Sequence, residues 1–309
     1  MTMMNQMTRP TDLQKLIPFD TAIARYEAIR DRLPAIANSV TARWARNLIE
    51  TADAFDGYLF DSFGVLNVGD TAIDGAAECL DALRQRGKRF CILTNAASYT
   101  SAEAFDKYAR LGLDVRAEEI LSSRDVLFQH LENRFPGLDW GVIATAEDTF
   151  ADTATRMSHL GDLSDWDAAE GILFLSAARW TEAEQDRLVH SLLRKPRPVL
   201  VGNPDLVAPR EGGLTVEPGF WAHDLQDRTG INVGYFGKPF AEAFTAAAKK
   251  IGGGRLAMVG DTLHTDILGG QAAGHATVLV TDHGLFKGRA VEPFIRKTRI
   301  VPDWIIPSI

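Results

Sequence analysis

Cysteine is scarce in this chain, which has only Cys79 and Cys91 among its 309 residues. Two thiols in a chain of this length do not form a disulfide framework, so the composition favours a reducing compartment. The first twenty residues, MTMMNQMTRPTDLQKLIPFD, contain no continuous apolar stretch and do not resemble a secretory signal. We therefore predict a cytoplasmic location.

Long apolar runs and clusters of basic residues are also missing. The longest apolar runs, such as Gly171–Leu175, are far too short to span a bilayer, so no membrane partner is predicted. Lys and Arg number 33 against 41 Asp and Glu, and this net charge of −8 argues against a nucleic-acid partner. The 24% charged and 46% hydrophobic residues are typical of a globular protein. The composition leaves a homo-oligomer open.

The length of the chain predicts about two domains, at about 150 residues per domain. Residues 1–50 are interpreted as a helical N-terminal extension, because apolar residues recur at three- and four-residue steps through 11–50. From residue 57, short apolar runs alternate with segments of helical spacing, which is the pattern of a parallel sheet. The same pattern returns after Gly230. We predict an α/β Rossmann-like core at 51–124 plus 226–309, with an α/β cap inserted at 125–225.

Four polar clusters follow the carboxyl ends of apolar strand candidates: Asp61, Thr94-Asn95, Lys238 and Gly260–Asp266. Ligands of open α/β sheets bind outside the carboxyl ends of the strands, so these clusters are predicted to share one site. A carboxylate there can attack phosphorus and form an aspartyl-phosphate. Mg²⁺ held by carboxylates, together with a lysine ammonium, would neutralise the phosphoryl oxygens. The residue types therefore predict phosphoryl transfer by positioning and electrostatics.

Four segments resemble, in chain order, the motifs of the haloacid dehalogenase-like hydrolase superfamily: Phe60–Leu66, Leu93–Asn95, Gly237–Pro239 and Gly260–Ile267. The long gap between Asn95 and Lys238 is similar to that of members with a large α/β cap of the C2 type. The resemblance extends over roughly residues 55 to 290 and points to subfamily IIA, which contains the NagD-like and p-nitrophenyl phosphatase-like proteins. It implies Mg²⁺-dependent hydrolysis of a small phosphorylated metabolite.

The resemblance also implies a role for each matching residue. Asp61 would be the nucleophile and a metal ligand, with the backbone carbonyl of Phe63 and the carboxylate of Asp261 as further ligands. Asp266 would be a metal ligand or a supporting carboxylate. The remaining implied roles belong to Thr94 with Asn95, which would bind the phosphoryl group, and to Lys238, which would neutralise that group and orient the nucleophile.

Ser62, Asn203 and Asp205 are the candidate substrate-binding residues. The last two belong to a loop-rich stretch, which the resemblance to subfamily IIA places against the site in the cap. Asn-Pro-Asp is also a common turn sequence, so a purely structural role is the alternative.

Phe63 departs from the family pattern, because the phosphatases carry a second Asp at this position that acts as general acid and base. General acid–base help contributes roughly 10²–10⁴-fold to rate, and a phenyl ring cannot transfer a proton. One hypothesis is hydrolysis of an ester whose leaving group needs little protonation, such as an acyl phosphate or an aryl ester, or with another proton donor, for which His264 and His223 are the candidates. A second is a non-hydrolytic protein that binds a phosphorylated ligand.

Two other chemistries fit the sequence less well. Attack of Asp61 on carbon, as in dehalogenation, is disfavoured by the cap placement and by the complete lysine and acidic motifs. A receiver domain of a signalling relay would also use a strand-end Asp, a Thr and a Lys. However, receivers have no insertion of about a hundred residues between them.

Overall fold

The computed structural model describes residues 15–36, 40–210 and 213–309. Within these ranges the strands are β1 Leu16–Ile17, β2 Arg43–Trp44, β3 Gly57–Phe60, β4 Asn67–Val68, β5 Thr71–Ala72, β6 Arg89–Thr94, β7 Ile120–Ser122, β8 Asp139–Ile143, β9 Arg156–His159, β10 Gly171–Phe174, β11 Val199–Val201, β12 Val207–Arg210, β13 Gly213–Val216, β14 Val233–Tyr235, β15 Leu256–Gly260, β16 Ala276–Val280 and β17 Trp304–Ile306. The helices are α1 Phe19–Ala28, α2 Ala76–Gln85, α3 Ser101–Arg110, α4 Ser123–Arg134, α5 Glu182–Arg194, α6 Pro218–Thr229, α7 Ala241–Ile251, α8 Leu268–Ala272 and α9 Glu292–Thr298. None of the helices in these ranges combines the length and apolar composition that a membrane crossing requires.

The core is a parallel sheet with the strand order β2-β17-β16-β15-β3-β6-β7. Its central strands are short apolar runs with no alternation, and all four residues of β3 are buried. Such runs are typical of parallel strands that are covered on both faces. Because β3, β6 and β15 are neighbours in this sheet, the residues that follow their carboxyl ends come together at one edge. The predicted Rossmann-like α/β core is confirmed.

A second parallel sheet, of order β14-β11-β10-β8-β9, forms the cap. The predicted boundaries of the cap, residues 125 and 225, fall inside α4 and α6. β14 pairs with β11, Val201 opposite Tyr235, and so extends the cap sheet past the predicted boundary. A buried parallel strand has the same composition in either sheet, so the sequence alone does not assign β14.

Within the described residues of the N-terminal extension, the α-helix is α1, and Arg30–Arg32 forms a short 3₁₀ turn. Residues 1–14 and 37–39 lie outside the described part of the chain. β1 pairs with β13, in a small antiparallel sheet that also contains β12, and β2 pairs with β17 and forms one edge of the core sheet. The partners of both two-residue strands lie over 190 residues away in the sequence, so local periodicity could not reveal them.

Two apolar clusters connect the parts of the molecule. In one, residues of the core sheet (Leu59, Met258) and of the cap sheet (Leu173, Leu200) pack together through α4 and α7. In the other, α1 packs on core residues such as Phe286 and on Leu214 of the cap hairpin. Cap and core therefore share hydrophobic interior, and α1 contacts both.

Helix ends follow the local sequence closely. Capping boxes at Thr100 with Glu103 and at Thr181 with Glu184 begin α3 and α5. α2 begins after Gly75.

A buried ionic group stabilises the start of α4. The guanidinium of Arg124 has no exposed surface and donates to the carboxylates of Asp148 and Asp152 and to the carbonyl of Ala97. Burial would lower the pKa of Arg124. The carboxylates of Asp152 and Asp148 have a larger, opposite effect, so the pKa is raised. The group connects α4 with the loop after β8.

Replacing the Arg124 guanidinium should be costly. We expect Arg124→Met to lower the free energy of unfolding by about 3–5 kcal/mol, since it leaves two partly buried carboxylates uncompensated. Arg156→Met is the matched control, because Arg156 pairs with Asp139 at an exposed position and its loss should change stability little. Urea denaturation measures both variants, and equal losses would contradict this account.

Candidate active site

Asp61 is the first residue after β3, and its carboxylate is the most accessible of the site. Its Oδ1 accepts a hydrogen bond from the amide of Ser62 at 2.7 Å and lies 2.6 Å from Nζ of Lys238. About 16% of the Asp61 side chain is exposed. A carboxylate held by a cation, with one side open, is suited to attack an electrophile.

Lys238 is buried, and its ammonium joins two carboxylates. Nζ lies 2.6 Å from Asp61 Oδ1 and 2.7 Å from Asp266 Oδ1. Its amide donates to Asn95 Oδ1 at 2.7 Å, and Asn95 Nδ2 donates to its carbonyl at 2.9 Å. Burial would lower the pKa of Lys238, but the charges of Asp266 and Asp61 outweigh this effect and raise it. The lysine is therefore a fixed positive charge.

Asp261 and Asp266 complete a cluster of carboxylates with Asp61. Ligand oxygens of the three residues lie within 4.8 Å of one another. Asp261 accepts from the Leu285 amide at 2.7 Å and Asp266 from the Thr262 amide at 3.0 Å. Asp266 lies in a short π-helical segment, Leu263–Ile267, which is a feature frequent at functional sites.

The cluster carries more negative charge than Lys238 can balance. Burial, followed by repulsion from Asp61, raises the pKa of Asp261; burial also raises that of Asp266. Three hard oxygen donors with excess negative charge are the ligand set that Mg²⁺ prefers. These residues therefore fit a divalent cation.

Two glycines allow the backbone to approach these carboxylates. A Cβ on Gly284 would lie 1.7 Å from Asp261 Oδ2, and one on Gly260 would lie 2.1 Å from Asp266 Cγ. No side chain fits at either position without moving a carboxylate.

Thr94 is the last residue of β6, Asn95 follows it, and both are buried. The Thr94 hydroxyl accepts from the Ala96 amide at 3.2 Å. Asn95, besides its two bonds to Lys238, donates from Nδ2 to Asp205 Oδ1 at 2.9 Å. Asn95, directly after β6, is therefore bonded both to the Lys238 backbone and to Asp205 of the cap loop.

The cap loop places Asp205, but not Asn203, at this junction. Asn203 Oδ1 accepts from the Asp205 amide at 3.0 Å and its Nδ2 donates to Glu217 at 3.3 Å, so its side chain holds the turn. Burial, only partly offset by Lys238, raises the pKa of Asp205 to about 8. The structural alternative for the Asn-Pro-Asp turn applies to Asn203, whereas Asp205 contacts the site.

Ser62 does not offer its hydroxyl to a ligand. The hydroxyl donates to Asn67 Oδ1 at 2.8 Å and accepts from the Tyr108 hydroxyl at 2.9 Å, and the residue is buried. These bonds to core partners support a structural role for the Ser62 hydroxyl, and its role in substrate binding stays a prediction.

The two candidate histidines are engaged elsewhere. His264 Nε2 lies 2.7 Å from Glu27 Oε1, and its ring stacks on Tyr26. His223 Nδ1 lies 3.0 Å from the Tyr235 hydroxyl within the cap. Burial lowers the pKa of both, and that of His223 to about 3. Both imidazoles are therefore neutral near pH 7 and are poor proton donors.

Tyr26 of α1 belongs to the surroundings of the site and was missed from the sequence. Its hydroxyl accepts from the Leu206 amide at 3.2 Å. Burial and the charges of Asp205, Asp266 and Asp261 raise its pKa. Its helical spacing indicated packing only, and no local signal distinguishes a tyrosine that also faces carboxylates.

Phe63 lines a cavity of about 810 Å³ beside the cluster. The core contributes Phe63, Gly284 and Leu285 to this cavity, and β1 and the β12–β13 hairpin contribute the opposite side. Phe63, at the position where the resemblance implies an acid–base Asp, is thus one of the residues that line the cavity.

Comparison with known proteins agrees with this geometry. Residues 58–157 match the family model of haloacid dehalogenase-like hydrolases, and residues 235–308 match a second model of HAD-like hydrolases. Together the two models match more than half of the chain, which belongs to the haloacid dehalogenase-like hydrolases. Curated relatives of the chain are phosphatases, which supports this activity for it.

Individual relatives support this assignment. The chain is 29% identical to human glycerol-3-phosphate phosphatase over 315 residues, covering 89% of this chain and 96% of that protein. The structure of a possible sugar phosphatase from Cytophaga hutchinsonii superimposes with a TM-score of 0.75 at 25% identity, covering 86% of this chain and 98% of the other. NagD from E. coli K-12 shares the fold, with a TM-score of 0.63 at 24% identity over 82% of this chain and 96% of the other.

The raised pKa of Asp205 predicts a pH dependence of stability. A folded-state pKa of about 8 against an ordinary value of 3.8 means that the folded chain holds this proton more tightly. Asp205 should therefore lower the free energy of unfolding progressively as pH rises from about 4 to about 8.

Asp205→Asn removes this titration while keeping the shape of the side chain. We expect urea unfolding in the absence of metal to show a smaller loss of stability between pH 5 and pH 8 than the wild-type chain shows. Asp53→Asn, at an exposed carboxylate, is the control. Identical pH profiles for Asp205→Asn and wild type would contradict the assignment.

Proposed function

We propose that the chain hydrolyses a small phosphorylated metabolite with Mg²⁺, through an aspartyl-phosphate on Asp61. The observation that carries the proposal is the position of the Lys238 ammonium, 2.6 Å from Asp61 and 2.7 Å from Asp266, beside three clustered carboxylates. A site with this arrangement binds an anion through a cation and presents a nucleophile to it.

The metal would be held by the carboxylates of Asp61 and Asp261 and the backbone carbonyl of Phe63, with Asp266 as a ligand or support. Mg²⁺ bound there supplies charge neutralisation of the phosphoryl oxygens. Lys238 holds the Asp61 carboxylate and adds positive charge. Thr94, with Asn95 beside it, binds the transferring group. The Asp61 oxygen attacks phosphorus, and water then hydrolyses the aspartyl-phosphate.

A non-hydrolytic role in binding a phosphorylated ligand is the second candidate. The observation that favours it is the phenyl ring at position 63, together with two histidines that are neutral and paired elsewhere. Phosphate and metal binding would remain, whereas proton transfer would be lost.

Hydrolysis of p-nitrophenyl phosphate with Mg²⁺ separates the two candidates. We expect wild-type turnover that Asp61→Asn lowers at least about 10²-fold, because the nucleophile is removed. Asp53→Asn, outside the cluster, should leave the rate unchanged. A silent wild-type chain that gains activity on Phe63→Asp would instead support the binding role.

Metal binding can be measured without turnover. Mg²⁺ at about a hundred times its dissociation constant should stabilise the folded chain by about 2.7 kcal/mol and raise the Tm by several degrees. Asp261→Asn should abolish this shift, while Asp53→Asn should keep it. EDTA should reverse it. A shift that survives in Asp261→Asn would place the metal elsewhere.

A further inference from the structure

The cavity beside the carboxylate cluster is lined mainly by apolar side chains. Its apolar side chains come from three separate parts of the described chain: Leu16 and Phe19 from the N-terminal segment, Pro209 and Leu214 from the cap hairpin, and Phe63 and Leu285 from the core. The charged lining side chains, Lys287 and Arg289, are largely exposed. An apolar cavity of about 810 Å³ is large enough for a small organic group.

This cavity adjoins the carboxylate cluster through Gly284 and Leu285. The amide of Leu285 donates to Asp261 Oδ2 at 2.7 Å, and Gly284 lies against the same carboxylate. Phe63 is two residues beyond the nucleophile Asp61. A phosphoryl group held at Asp61 and Lys238 would therefore direct the rest of its ester into the cavity.

Phe63 stands where the family pattern has an Asp, so the usual proton donor to the leaving group is missing. An ester of an aliphatic alcohol expels an alkoxide, which is about as basic as hydroxide, since the pKa of water is about 15.7. An aryl ester expels a phenoxide, and phenols such as tyrosine have a pKa of about 10. An aryl leaving group thus needs far less protonation than an alkyl one.

We propose that the substrate is a phosphate monoester of an aromatic alcohol, with its ring held in the cavity against Phe63. This inference rests on the proposed phosphatase function and names its substrate class. Apolar walls and a missing acid both disfavour polyol phosphates, because hydroxyl groups would be desolvated there and their alkoxides would leave without a proton.

The reaction balances without a protein acid in its first step. An Asp61 oxygen bonds to phosphorus, the bond from phosphorus to the aryl oxygen breaks, and its electron pair stays on the phenoxide, which takes a proton from solvent. Water then bonds to phosphorus and the bond to Asp61 breaks, so the carboxylate is regenerated. Both protons of that water leave with inorganic phosphate. The second leaving group is a carboxylate and also needs no proton.

Three esters test the idea together: phenyl phosphate, benzyl phosphate and glycerol 3-phosphate. We expect phenyl phosphate to exceed glycerol 3-phosphate by at least about 10²-fold in kcat/KM. Benzyl phosphate fills the cavity but expels an aliphatic alkoxide. It should show a KM within about threefold of phenyl phosphate and a kcat at least about 10²-fold lower. Equal or better kcat/KM for glycerol 3-phosphate overturns the proposal.

Leu16→Asp tests the wall of the cavity. Leu16 is 52% exposed, so the substitution should leave folding intact while placing a charge in the lining. We expect about a tenfold rise in KM for phenyl and benzyl phosphate. Leu193→Asp is the matched control, because Leu193 is 56% exposed on α5 and outside this lining. An unchanged KM in Leu16→Asp overturns the proposal.

Failure of the proposed function is recognised separately. Activity that survives in Asp61→Asn, or wild-type silence toward all three esters, overturns hydrolysis at Asp61. Calorimetric titration of Mg²⁺-loaded Asp61→Asn with phenyl phosphate and with glycerol 3-phosphate then still decides the ligand class. At least tenfold tighter binding of phenyl phosphate supports the cavity assignment, and equal affinities overturn it.

Discussion

The pairing of one buried ammonium with clustered carboxylates is the constraint around which this molecule is arranged. Lys238 contacts Asp61 and Asp266, which follow two neighbouring strands of the core sheet. Uncompensated charge is costly inside a protein, so each of these groups must be held by hydrogen bonds and close backbone. Asn95 accepts from the Lys238 amide, and the Leu285 amide donates to Asp261. Gly284, which has no side chain, lets the backbone approach the Asp261 carboxylate.

Cap and core depend on each other through the same region. Asn95 of the core bonds both the Lys238 backbone and Asp205 of the cap loop. Tyr26 of α1 bonds the backbone at Leu206, next to Asp205 in the chain. The site is therefore assembled from the core, the cap and the N-terminal helix. Apolar residues packed between the two sheets hold the cap against the core.

The sequence predicts the catalytic core well, because its signals are local. Apolar runs that end at Asp61, Asn95 and Asp261 correspond to neighbouring strands, and parallel-sheet geometry then brings these residues together. Features that depend on distant pairing were predicted poorly. The edge strand β14, the two-residue strands β1 and β2, and the internal bonding of Ser62 require knowledge of partners that lie far away in the chain.

The N-terminal and cap walls of the cavity come from segments that carry none of the clustered carboxylates. β1 and the β12–β13 hairpin pair with each other and face the core side of the cavity. Substitutions in these segments alter what is recognised and leave the nucleophile and the ammonium in place. Descendants of such a chain can therefore change the ligand that they bind while they keep the same reacting residues.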